Sequence, residues 1–462
     1  MRYEDFLKTK QFVLEPHGFE CGELNNMLFD WQKDIVRWAL KRGKAAIFAD
    51  CGLGKTPMQL EWANEVHKHT NKPILILAPL AVAQQTKREG EKFGIPVNVC
   101  RTQKDVIDGI NIANYEMLEH FEPESFSGIV LDESSILKHH DSKTRQLITD
   151  AFVSTHYKLA CTATPAPNDH MELGNHAQFL GVMSMTEMLA TFFVHDGGET
   201  SKWRLKGHAE QKFWEWMAGW AVVMTNPEDL GYDGENFKLP DLRMHQRIVK
   251  SEAGEIDGQM LLIPAIAESL MDRRQARRTS INERCELAAE IANKETDQVL
   301  VWCDLNNESA LLSSMIHDAV EVKGADSNDH KTRSMMNFAN GELRVLVSKP
   351  SIAGFGMNWQ NCNKMIFVGL SDSYEAFYQA VRRCWRFGQT KPVDVYIIIS
   401  ESEGAVKANI ERKEKDAQKM INEMVKYAKA ILEEELKGTV RQSIDYNPTK
   451  TMIIPEWLRS AA

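Results

Sequence analysis

Three short stretches of this chain carry side chains whose types and spacing suit phosphate chemistry. The first is ADCGLGKT at 49–56. A glycine-rich turn between an apolar run and a helix points backbone N–H groups at one spot, where the helix N-terminus adds partial positive charge. There Lys55 can reach the β- and γ-phosphates of a nucleotide, and Thr56 can place its hydroxyl on Mg2+. Pro57 suits the first helical turn, where a missing N–H loses nothing. The second stretch, GIVLDESS at 128–135, ends an apolar run in two carboxylates. Asp132 suits the metal and Glu133 the orientation of an attacking water. The third, QAVRRCWRFGQ at 379–389, packs Arg382, Arg383 and Arg386 together. Arginine is always charged and its planar fork matches phosphate oxygens, yet alone such a cluster reads as a solvated helix face. Arg383 and Arg386 share one face at i, i+3, while Arg382 neighbours Arg386 at i+4, so spacing alone does not separate them.

Strands must present these stretches at a common edge. Short apolar runs alternate with helical patterns, the mark of parallel α/β layers. One series holds AAIFAD (45–50), ILILAP (74–79), INIANY (110–115), GIVLDE (128–133) and KLACTAT (158–164). A second holds QVLVWC (298–303), RVLVSK (344–349), KMIFVG (364–369) and VDVYIII (393–399). Their near-continuous Val/Ile/Leu content is that of strands buried on both faces. The expected organisation is an N-terminal extension (1–24), a first lobe (25–184), a helical insertion and linker (185–284), a second lobe (285–402), and a C-terminal helix and tail (403–462). Within the insertion, Phe213, Trp216, Met217 and Trp220 follow a helical stripe that reads as packed core. Arg273, Arg274, Arg277 and Arg278 form a basic ridge that suits phosphate tracking as well as a solvated face. The C-terminal helix reads as a brace for the lobes rather than an oligomerisation element.

At 462 residues the chain calls for two or three domains, and 43% hydrophobic with 26% charged residues is ordinary for a globular protein. No run has the length of a membrane span, and MRYEDFLKTK has no apolar signal core, so a cytoplasmic location is expected. Eight scattered cysteines without a CxxC pair argue against a zinc site or a disulfide framework. The net charge of −10 weighs against bulk coating of nucleic acid but leaves room for a local basic track.

Taken together the stretches resemble superfamily-two helicases, in particular the Swi/Snf-type branch of duplex-DNA translocases, and most of all its small prokaryotic and bacteriophage members. ADCGLGKT is similar to D-E-M-G-L-G-K-T, with Ala49 where the strict nucleotide-loop pattern has glycine. DESSILKHHDSK resembles D-E-A-H-R-L-K-N-x-x-S-K, and CTATPAPNDHMEL resembles L-T-G-T-P-x-x-N-x-x-x-E-L. SKPSIAGFGMNW is similar to S-x-x-A-G-G-x-G-L-N-L, and QAVRRCWRFGQ to Q-A-x-x-R-x-x-R-x-G-Q. Ser134 and Ser135 stand where the family has alanine and histidine, and Phe355 interrupts the glycine pair.

The resemblance implies two tandem RecA-like lobes with ATP and Mg2+ between them. Gln32 would read the adenine; Gly52, Gly54, Lys55, Thr56 and Gly356 would bind the nucleotide, with Thr56 and Asp132 on the metal. Lys55, Asp132, Glu133, Arg383 and Arg386 would be catalytic, the two arginines meeting the γ-phosphate from the second lobe; Arg382 gets no role. Pro79, Asn114, Tyr115, Ser348 and Ser351 would grip the backbone of duplex DNA without reading its sequence. The alternatives are an RNA helicase and a nucleotide-gated DNA-binding regulator that does not move.

Overall fold

The structure, a computed structural model, describes residues 16–437 except 80–81, 139–141, 167–168, 197–198, 251–254, 257–258, 261–277, 354–356, 372 and 402–403. Among the described residues no helix is long and apolar enough to cross a membrane.

Two parallel sheets carry the chain, as the two series of apolar runs require. The first lobe opens with β1 (Lys44–Ala49), β2 (Ile74–Ala78), β3 (Val97–Val99), β4 (Ile110–Asn114), β5 (Gly128–Asp132) and β6 (Tyr157–Thr162). A hairpin of β7 (Phe193–Asp196) and β8 (Glu199–Leu205) follows, then β9 (Ala221–Met224). The sheet order is β3-β4-β2-β5-β6-β1-β9. After β10 (Leu242–Val249) and the short pair β11 (Glu255–Ile256) and β12 (Gln259–Met260) come β13 (Val299–Cys303), β14 (Ala319–Val322), β15 (Val345–Ser348), β16 (Lys364–Val368) and β17 (Val393–Ser400). The second sheet runs β10-β17-β16-β13-β15-β14. In both, helices cover the faces, so the central strands are buried and apolar, while β10, at the edge of the second sheet, keeps Met244 and Ile248 exposed.

The stretch expected as a helical insertion and linker is divided between the two sheets. Its strand β9 pairs in parallel with β1, Ala46 facing Ala221, and β10 pairs with β17 over its full length. A four-residue run such as AVVM carries too little periodic signal to be told from a helix edge, which is why it passes for part of the insertion. The Phe213, Trp216, Met217 and Trp220 stripe lies fully in the first-lobe core, against Phe192, Phe193 and Trp214. Of the basic ridge, Arg273, Arg274 and Arg277 lie outside the described residues, and Arg278 is exposed.

The last helix (Gly404–Lys437) touches both lobes. Ile410 and Ala417 join the second-lobe core, and Met420 and Met424 join the first. Side chains ten residues apart on one helix thus bury into different domains (Ile410 and Met420), which ties the lobes together through apolar contact.

Candidate nucleotide site between the lobes

The glycine loop leaves the carboxyl end of β1 and enters the Lys55–Thr70 helix, the position where open parallel sheets hold ligands. Two glycines there are required by geometry. Gly54 has φ +70°, and a Cβ on it would lie 2.4 Å from Gln32 Nε2; Gly52 has φ +91°, and a Cβ on it would lie 2.9 Å from the backbone N of Phe387. The loop therefore touches both Gln32 and the second lobe. Lys55 Nζ donates to the carbonyls of Ala49 (2.8 Å) and Asp50 (3.3 Å), which holds the ammonium over the loop.

Gln32 is buried and clamps this loop. Its Oε1 accepts the Phe29 N–H at 3.0 Å, and its Nε2 donates to the Leu53 carbonyl at 3.2 Å. Beside it Phe237 stacks on Phe387 at 4.8 Å and meets Phe29 edge-on at 5.3 Å. Phe29 and Phe387 stay exposed, offering flat apolar surface next to the loop.

The carboxylates come from the end of β5, one strand removed from β1. Asp132 is buried, and Gln59 Nε2 donates to its Oδ1 at 2.8 Å. Burial pushes its pKa up, opposed by the Gln59 bond and by the Lys55 charge. Glu133 sits at φ +55°, a left-handed backbone that a non-glycine residue adopts at a cost of roughly 1–2 kcal/mol. That turn swings its side chain toward Thr162 Oγ1, which donates to Oε2 at 3.4 Å. Burial raises Glu133 too; Lys55 pulls it back, Asp132 adds to the rise, and Arg383 pulls it down again. Arg383, from the other lobe, thus acts electrostatically on both carboxylates.

Where the family pattern has alanine, Ser134 Oγ lies 3.1 Å from Nε2 of the buried His176, whose pKa burial drives down to about 4. Lys138, in the same segment, pairs with Glu375 of the second lobe, and Thr164 Oγ1 donates to that carboxylate at 3.4 Å.

The three arginines occupy different places. Arg383 is buried, its Nε and Nη1 donating to the carbonyls of Gln379 (3.1 Å) and Met357 (3.2 Å). Arg386 has its pKa pushed down to about 10, first by burial and then by the like charge of Arg383. Its Cβ approaches the glycine loop, 3.6 Å from where a Gly52 Cβ would sit. Among the described residues only Arg382 of the three has an ion pair, with Asp50.

Two of the expected nucleic-acid grips have their hydroxyls engaged inside the lobes. The Tyr115 ring is buried and its hydroxyl donates to the Asp132 carbonyl at 2.7 Å, so it scaffolds the end of β5. Ser348 is fully buried and donates to the Val322 carbonyl at 2.8 Å, joining β15 to β14. Ser348 closes β15 with the core on either side, and Tyr115 opens the turn after β4 with its ring packed into the first-lobe core. Pro79 and Asn114 are partly exposed at the carboxyl ends of β2 and β4, and Ser351 is exposed just beyond β15. Gly356 lies outside the described residues, as do His139 and His140. Sequence reasoning missed Gln59, whose i+4 spacing from Lys55 on an otherwise buried helix face is the signal that could have found it.

These residues fit a nucleoside triphosphate and Mg2+. Lys55 and Arg386 lie at the glycine loop, the charge of Arg383 reaches Asp132 and Glu133, and among the described residues none of the three is in an ion pair. Among the described residues there is no cluster of three metal ligands. Asp132 with the Thr56 hydroxyl suits Mg2+, which is bound by one or two carboxylates together with substrate phosphates.

Residues 31–195 match the model of the SNF2-related domain, and residues 282–388 that of the helicase conserved C-terminal domain, together more than half the chain. The bifunctional helicase and thymine dioxygenase of Leishmania braziliensis is 37% identical over 83 residues, 18% of this chain and 8% of that protein. The chain therefore spans less than a tenth of the length of that relative. A putative protein of Acyrthosiphon pisum secondary endosymbiont phage 1 is 22% identical over 433 residues, covering 80% of this chain and 92% of its own. A putative ATP-dependent RNA helicase of Acanthamoeba polyphaga mimivirus is 28% identical over 104 residues, 21% of this chain and 19% of that one. Among solved structures, the Sulfolobus solfataricus SWI2/SNF2 ATPase core in complex with dsDNA aligns with 94% of this chain and 100% of its own, at 18% identity and a TM-score of 0.41.

Proposed function

We propose, from the premise that this chain belongs to the Swi/Snf-type branch of superfamily-two helicases, that it hydrolyses ATP between its two RecA-like lobes and uses the cycle to move on duplex DNA. The observation that carries this reading is the meeting of unlike walls in one cleft. Lys55, Asp132 and Glu133 come from the first lobe; Arg383, whose charge acts on both carboxylates, and Arg386, beside Gly52, come from the second.

In this reading the loop N–H groups and Lys55 hold the β- and γ-phosphates, and Gln32 with the neighbouring rings accepts the base. Glu133, fixed by its left-handed turn and by Thr162, orients the attacking water and takes its proton. Arg383 and Arg386 meet the charge that develops on the transferring phosphoryl group, a contribution of ~10³–10⁵ in rate. Thr56 and Asp132 would hold Mg2+, which when bound would supply charge neutralisation for the phosphates. Motion follows because the arginines reach the site only when the lobes are together, so each hydrolysis changes the balance between closed and open forms. Pro79, Asn114 and Ser351, at strand ends of both lobes, are the retained candidates for gripping the DNA backbone.

The test is ATPase activity with duplex DNA, single-stranded DNA and RNA, in the wild type, Lys55→Ala and Glu133→Gln. Duplex DNA is expected to stimulate most, and both variants to lose the stimulated rate. Full stimulated activity in either variant refutes the site. Stimulation by RNA alone would replace the DNA reading by the RNA one.

A further inference from the structure

Arg382 takes no part in the hydrolysis proposed above, yet it is the most heavily partnered arginine of its segment. Its side chain is 4% exposed and forms an ion pair with Asp50, 332 positions away in the other lobe. The same guanidinium donates to the carbonyls of Cys51 (3.4 Å) and Trp385 (3.3 Å). It lies over the rings of Trp385 and Tyr378, at 4.8 and 5.6 Å from their centroids. The Tyr378 hydroxyl donates to the second oxygen of Asp50. Asp50 therefore receives two donors from the second lobe, besides the Cys51 N–H at 2.6 Å from its own loop.

The place of this carboxylate gives the contact its meaning. Asp50 follows the last residue of β1 and opens the glycine loop; its carbonyl accepts from Lys55 Nζ. A negative charge at the mouth of a polyphosphate cradle opposes the ligand. Arg382 and Tyr378 both come from the second lobe, so the compensation is complete only when the lobes are together. Ordinary closure contacts do not have this property, because they change how far the lobes separate without changing the charge the phosphates meet.

We propose that Arg382 is a positioning residue that neutralises Asp50 on lobe closure and thereby makes the cradle fit for a polyphosphate. The proposal rests on the ATP-site reading. Nucleotide affinity and closure become one coupled equilibrium: whatever favours the closed form tightens nucleotide binding, and nucleotide favours the closed form by the same factor. It also accounts for the division within the arginine cluster, with two cations directed at the ligand and a third at the loop that holds it.

The experiment measures equilibrium binding of a fluorescent ATP analogue, together with KM and kcat for ATP, in the wild type, Arg382→Met, and Arg382→Met combined with Asp50→Asn. Arg382→Met leaves the carboxylate uncompensated beside the phosphates and is expected to weaken binding and raise KM on the order of tenfold to a hundredfold. Removing the charge in the double variant is expected to restore most of that loss, which a merely structural arginine would not allow. Tyr378→Phe, which removes one donor and no charge, should weaken binding severalfold and be rescued by the same Asp50→Asn change; it carries the test if Arg382→Met does not fold. A double variant as weak as its parent, or a parent with wild-type affinity, overturns the proposal. A wild-type protein that binds no ATP analogue instead overturns the site on which the proposal rests.

Discussion

Replacing Arg386 by glutamine should separate catalysis from stability in opposite directions. Burial and the neighbouring charge of Arg383 push the Arg386 guanidinium down to about 10, and among the described residues no carboxylate pairs with it. Each pKa unit corresponds to about 1.4 kcal/mol between the charged and neutral forms. With a discount for its partial exposure, keeping this charge costs the folded protein on the order of 1–3 kcal/mol. The sign is that of a base whose folded pKa is lowered: the cost is fully present at neutral pH and fades only as the pH rises through about 10. Arg386→Gln removes that cost, so the melting temperature should stay level or rise, by ~2–4 °C per kcal/mol for lobes of this size. Hydrolysis should fall by roughly 10³ or more, because the charge needed in the transition state has gone. Binding of an ATP analogue should change by no more than about tenfold, since Lys55 and the loop N–H groups remain. Single-turnover hydrolysis, equilibrium binding and a thermal scan decide the matter. Near-normal turnover, or a melting temperature several degrees lower, refutes the reasoning and returns Arg386 to a structural role.

Two further outcomes follow from the same geometry. Gly52→Ala adds a Cβ at φ +91°, 2.9 Å from the Phe387 N of the opposite lobe, so it should hinder closure and lower kcat at least tenfold; wild-type turnover would show that the loop does not meet the second lobe there. Burial raises the pKa of both Asp132 and Glu133, so the acid limb of the kcat/KM profile should lie above the ordinary carboxylate value of about 4.3. For stability the sign is reversed: a raised carboxylate favours folding below its ordinary value and loses that contribution as the pH rises through the raised one. An acid limb at or below about 4.3 would remove Glu133 from the role of base.

Strand and loop motifs were legible wherever the residues themselves impose a conformation. ADCGLGKT needs glycine at positive φ and a helix start at Lys55, and the structure has both. The long apolar runs became central strands in both sheets, but β3, β9 and β14, of three or four residues each, carry too few side chains to declare themselves. The Phe213 to Trp220 stripe was readable as core because helical spacing alone implies one buried face.

Side-chain direction at the strand ends was not readable. Tyr115 and Ser348 stand where the family pattern suggests exposed grips, yet their hydroxyls are engaged inside the sheet. One residue of register decides whether such a group faces solvent or core, and register is set by the neighbouring strand. The division of the arginine cluster belongs to the same class. From the sequence, Arg382, Arg383 and Arg386 carry equal charge within one short segment, and spacing could not rank them. The fold ranks them by bringing Asp50 into an ion pair with Arg382, directing the charge of Arg383 toward Asp132 and Glu133, and leaving Arg386 without an ion pair among the described residues. The sequence by itself determined the local parts, namely a glycine loop, a pair of carboxylates and a set of cations, because each depends on the conformational and chemical limits of a few consecutive residues. Only the tertiary structure decided which cation meets which anion, because Coulomb partners are chosen by distance in space, and that distance exists only once two lobes have packed against each other.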